Sequence, residues 1–76
     1  MIRAYEEIVD FIAAGNRPED VAAFQPSEET RQLVGDLIAR EKRGELTEQE
    51  AAELDYFLKL EHIMRLAKAK ARKRLS

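Results

Sequence analysis

TEQEAAELDYFLKLEHIMRLAKAKARKR, residues 47–74, decides how the rest of the chain is read. It holds neither Gly nor Pro and is dominated by Ala, Leu, Glu, Lys and Arg, all strong helix formers. Thr47 and Glu50 stand at the spacing of a T-x-x-E capping box: the Thr hydroxyl accepts from the Glu50 N–H, and the Glu carboxylate reaches back to the Thr47 N–H. Leu46 and Ala51 flank that cap as a weak hydrophobic staple. Glu48, Glu50 and Glu53 suit the positive end of the helix dipole, and Arg72, Lys73 and Arg74 suit the negative end. The pattern predicts one unbroken helix over 48–74, roughly 40 Å long at 1.5 Å per residue.

Its apolar residues cover more than a narrow stripe. Tyr56, Phe57, Leu60, Ile63, Met64, Ala67 and Ala71 share one broad face, with Ala51, Leu54 and Leu58 to one side and Leu66 to the other. A helix that is apolar over more than one stripe has more than one neighbour, which places this one at the centre.

Working outward, the next segment is joined to it by a very short link. Ser27 reads as an N-cap followed by Glu28 and Glu29, and Thr30, Leu33, Val34, Leu37 and Ile38 trace one face of a helix over 28–43. Asp36 and Arg40 make a favourable i,i+4 pair. Gly35 weakens this helix by about 1 kcal/mol relative to Ala; its place beside the apolar stripe suggests close approach of a neighbouring backbone. Gly44 supplies the left-handed stop. The few residues from Gly44 to Thr47 make helices 28–43 and 48–74 an antiparallel hairpin. Before them, Pro18 opens a short helical turn over 18–24, PEDVAAF, in which Val21 and Phe24 can plug into a core, and Pro26 ends it. The first helix is expected over 2–14. Tyr5, Ile8, Val9 and Ile12 recur on one face with Phe11 at its edge, and Gly15 and Asn16 close it.

The fold class that follows is all-α: one domain over 1–76 with three main helices, one short helical turn, and the long C-terminal helix at the centre. The hairpin partner is about 24 Å long, so the central helix overhangs it by roughly ten residues from Met64 onward. The first helix or a second copy of the chain is expected to cover that overhang. The candidate interaction face is therefore Tyr56, Leu60, Ile63, Met64, Ala67 and Ala71.

Composition sets the outer limits. A chain of 76 residues buries only about 60% of its unfolded surface. With no Cys it has neither disulfides nor a thiolate metal site to add stability, so association as a homodimer is expected. No apolar run approaches the roughly 20 residues of a membrane span, and Glu6, Glu7 and Asp10 interrupt any signal-peptide core. A cytoplasmic protein that does not engage membranes is the expectation. The formal net charge of −2 hides an asymmetry: Arg65, Lys68, Lys70, Arg72, Lys73 and Arg74 have no acid among them, whereas the 15 acids all lie before residue 65.

Chemistry finds little foothold, and no enzyme is expected. The one His, His62, falls on the more polar side of the central helix, about 10.5 Å of rise from Asp55, and reads as a surface or interface residue. Ser27 reads as a cap, and no nucleophile–base arrangement assembles around either. Glu-x-x-His, the spacing of helical di-iron sites, is absent. No glycine-rich phosphate loop is present. No cofactor, metal or small-molecule ligand is expected. Tyr5, Tyr56, Phe57 and Phe24 read as core. The basic run 65–74 has three readings: a solvated helix end balancing the dipole, a docking surface for an acidic protein, or a nucleic-acid patch. Interleaved Ala gives it no aromatic for base stacking.

YEEIVDFIAAG at 5–15, PEDVAAF at 18–24, PSEET at 26–30, LTEQEAAELD at 46–55 and LEHIMRLAKAKAR at 60–72 together resemble a group of small helical proteins of bacteria, mainly cyanobacteria. The resemblance spans nearly the whole chain. Members tend to be encoded beside a small HNH-type endonuclease, an arrangement like a toxin–antitoxin pair. It implies a cytoplasmic protein with a protein partner, antitoxin-like toward a nuclease, and transfers no catalytic residue. Arg17 stands before Pro18 where that pattern has a capping Thr.

Overall fold

The computed structural model describes residues 3–76. It is all-α, with four helices: α1 (Glu6–Ala13), α2 (Pro18–Ala23), α3 (Glu28–Lys42) and α4 (Glu48–Leu75), and no strand among the described residues. The 28 residues of α4 rise about 42 Å, which accounts for the long dimension of a body 44 × 22 × 19 Å.

Local chemistry sets the helix ends. Thr47 Oγ1 accepts from the Glu50 N–H at 3.1 Å, and the Glu50 carboxylate accepts from the Thr47 N–H at 3.0 Å. Ser27 Oγ accepts from the Thr30 N–H at 3.2 Å. Gly44, at φ +69°, closes α3 with a pair of bonds: its own N–H to the Glu41 carbonyl and the Glu45 N–H to the Arg40 carbonyl, a Schellman motif. Gly15, at φ +68°, ends α1, and Asn16 Nδ2 donates to the Phe11 carbonyl. At α2 the N-cap is Arg17. Arginine has no acceptor to offer, so only the return half of a box forms, from the Arg17 N–H to Asp20 Oδ2 at 3.2 Å.

The first helix is shorter than its expected 2–14. Ile2 lies outside the described residues; Arg3 is non-helical, Ala4 and Tyr5 form a turn, and the helix begins at Glu6. No side chain caps it at Tyr5.

The three other helices divide α4 between them. α3 runs antiparallel along its N-terminal half: Arg40 pairs with both Asp36, at 3.1 Å, and Glu50, and Val34 and Leu37 are buried with Leu54 and Phe57. α1 runs parallel to α4, with Tyr5 edge-on to Tyr56 at 5.6 Å between ring centroids and Ile12 beside Ile63 further along. α2 lies antiparallel on the C-terminal half: Pro18 and Val21 border Ala67 and Ala71, while Phe24 borders Met64 and Lys68. Lys68 Nζ donates to the Phe24 carbonyl at 2.8 Å and so holds the end of α2 to α4.

The overhang is thus covered chiefly by neither expected candidate. The short turn PEDVAAF roofs it, and Met64 and Ala71 are each only 5% exposed. Phe11 and Phe24 meet at 4.4 Å between centroids and tie α1 to the end of that roof.

Two further expectations change. The inner line of the N-terminal segment is Ala4, in the turn, then Ile8 and Phe11 on α1; Ala4 and Ile8 are buried, while Val9 and Ile12 face out. α1 lies at the edge of the bundle, so only part of its apolar arc meets α4. Among the described residues nothing lies within 4 Å of where a Cβ on Gly35 would stand, so no neighbouring backbone of theirs approaches it. Glu7 joins α1 to the start of α3: it accepts from the Ser27 N–H at 2.6 Å and from the buried Thr30 hydroxyl at 3.4 Å.

Candidate functional site

Large apolar side chains left in solvent are the most distinctive surface feature. Val9, Ile12, Tyr56, Ile63 and Leu66 are all 44–56% exposed. They lie together. Tyr56, Ile63 and Leu66 follow one another at i+7 and i+3 along α4, on its outer arc. Tyr5, Val9 and Ile12 follow at i+4 and i+3 along the flank of α1 that meets that arc. The Tyr5–Tyr56 contact sets the two rows side by side, and Ile12 and Ile63 line one groove further along. Leu58 and Leu75, the other large exposed apolar side chains, lie away from this face, and isolated exposed residues of that kind are ordinary.

The expected interaction face Tyr56, Leu60, Ile63, Met64, Ala67 and Ala71 is therefore split. Tyr56 and Ile63 are exposed, Leu60 and Ala67 are half-buried against the rest of the molecule, and Met64 and Ala71 are buried beneath it. Tyr56 is also not core, unlike Phe57, which is buried. The residues that periodicity assigned elsewhere are Val9 and Ile12, placed on the inner side of their helix, and Leu66, placed to one side of the face. The signal available for Leu66 was its position three residues after Ile63.

The basic run is divided as well. Arg65 is paired with Glu61 at 3.1 Å, and Lys68 serves the Phe24 carbonyl. Lys70, Arg72, Lys73 and Arg74 are exposed and make no ion pair among the described residues. At about 100° per residue, Lys70 and Arg74 share one side, Lys73 lies off it, and Arg72 points nearly opposite. The four surround the rod and form no stripe.

Other polar groups are occupied with the fold. Asp55 pairs with Lys59 at 2.8 Å, and His62 is exposed. The Thr47 N–H holds the Glu50 carboxyl below its usual range; burial opposes this and the charge of Arg40 adds to it. Among the described residues no group of three or more His, Asp or Glu is placed to hold a metal ion, and no helix is long and apolar enough to cross a membrane.

No family model, curated protein or solved structure matches this chain.

Proposed function

We propose that this chain is a non-catalytic protein–protein interaction module, and that its contact surface is the face built by the outer flanks of α1 and α4. The observation that carries this reading is the gathering of Val9, Ile12, Tyr56, Ile63 and Leu66 on one side of a 76-residue protein. A contiguous apolar patch with a charged surround is the usual mark of an interaction site. On this reading the protein works in the cytoplasm, and an antitoxin-like role toward an HNH-type nuclease is the form the resemblance suggests for its partner.

The test is recovery of the untagged protein from its own cell, wild type beside the double variant Ile63→Glu and Leu66→Glu. Both sites are exposed, so the fold is expected to survive, and circular dichroism checks that. A protein that accompanies the wild type and is lost from the variant is the expected result. The same companions with both forms would remove the face from the proposal.

A second reading is nucleic-acid binding by the end of α4, favoured by the four cations there that make no ion pair among the described residues. It requires affinity for DNA or RNA that falls steeply with salt and drops when Arg72, Lys73 and Arg74 are changed to Ala.

A further inference from the structure

We propose that the α1–α4 face is covered by a second copy of this chain, in a two-fold dimer whose α4 helices run antiparallel, acidic end against basic end. This rests on the reading of that face as a contact surface, and it names the occupant.

The surface is larger than a compact monomer needs. The chain has an accessible surface of 5603 Å², whereas a compact monomer of 8.7 kDa has about 4,700 Å². Its radius of gyration is 13.7 Å, against about 11 Å for a compact domain of this length. The excess surface, roughly 900 Å², is close to the ~800 Å² that each partner contributes to a standard interface. A side-by-side dimer of two such rods would absorb it.

The exposed apolar row on α4 runs from Tyr56 to Leu66, through the middle of a helix that starts at Glu48 and ends at Leu75. A two-fold axis near Leu60 brings Tyr56 of one copy against Ile63 of the other, twice. An isologous contact requires that kind of self-complementary pairing. Val9 and Ile12 widen the strip on the α1 side.

Charge sets the direction. Among the described residues Glu6 and Asp10 on α1 and Glu48 on α4 make no ion pair, nor do Lys70, Lys73 and Arg74. About the same axis, Glu48 of one copy falls beside Lys70, Lys73 and Arg74 of the other. The helix dipoles also oppose. A parallel pair would instead press the cationic ends together, at a cost in like-charge repulsion.

Sedimentation equilibrium of the wild type over a micromolar range, at low and high salt, measures the association. Because the chain has no Cys, Ser76→Cys carries a single spin label, and the distance between labels gives the direction. The expected results are a dimer mass, at least tenfold weaker association for Ile63→Glu and for Leu66→Glu, weaker association at high salt, and a label separation near 48 Å, from sixteen residues of rise on each side of the axis. A monomer mass throughout overturns the inference and leaves the face to another protein. A dimer indifferent to both substitutions forms through another surface; it overturns the inference and leaves the α1–α4 face open to a different protein. A dimer that both substitutions break, but with labels closer than about 20 Å, is parallel and overturns the antiparallel assignment.

Discussion

A six-residue helix roofs the C-terminal half of α4, and Ala71 lies beneath that roof. Ala71 is 5% exposed beside Pro18 and Val21, whereas Ala69, two residues before it on the same helix, is exposed. Changing either to Leu costs a similar, small amount of helix propensity. Only Ala71→Leu forces three more carbons beneath α2. Overpacking at a buried position costs about 1–3 kcal/mol, while a surface change away from such features stays within about 0.5 kcal/mol. A chain of this length has a total stability of about 4–11 kcal/mol, so the difference should be large on that scale. At roughly 4–8 °C per kcal/mol for a small domain, the two variants should differ in Tm by about 5–20 °C, with Ala71→Leu the lower. Urea and thermal unfolding followed by far-UV circular dichroism, on both variants and the wild type, measure this directly. If Ala71→Leu unfolds together with Ala69→Leu, the roof does not lie there, and the placement of α2 and the burial of the overhang fall with it.

Gly35 and Glu50 offer two further tests. Gly35→Ala, with open space around the new methyl group, should stabilise by about 0.5–1 kcal/mol and raise Tm by a few degrees; a loss of stability would mean that something does approach that turn of α3. Glu50 titrates below its usual range when folded, chiefly through the Thr47 N–H, so its contribution is complete above an unfolded value near 4.3 and is lost as pH falls through the lower folded value. The stability advantage of the wild type over Glu50→Gln should accordingly be constant near neutrality and shrink below about pH 4; an advantage that grows in acid would refute that assignment.

The helices themselves were legible because their ends are written in local chemistry. Thr47 with Glu50, Ser27 with Thr30, and the glycines at 15 and 44 act within a few residues of where they stand, and each does what its spacing predicts. Faces were harder. Tyr5, Ile8, Val9 and Ile12 do form an apolar arc, but periodicity gives the direction of an arc and not how much of it neighbours cover. Ile8 is buried while Val9 and Ile12 remain in solvent, because α4 covers one flank of α1 and leaves the other open. The roof over Met64 was missed for a different reason. Six residues are too few to show a period, and the bond that pins α2 joins Lys68 to Phe24 across most of the chain. Glu7 is similar: nothing near it in sequence announces the Ser27 N–H and the Thr30 hydroxyl that it accepts from.

One feature of the topology bears on how the molecule comes into being. Of the four helices, the one against which all the others lie is synthesised last. α1 and α2 leave the ribosome with no platform, and each is far shorter than the dozen or more residues an isolated helix needs to persist in water. The first native structure expected to form is the α3–α4 hairpin, whose contacts are close in sequence. The N-terminal third then closes across long loops. Assembly therefore waits on translation of α4, and until then the nascent polypeptide presents Ile8, Phe11 and Phe24 bare to whatever chaperones it meets.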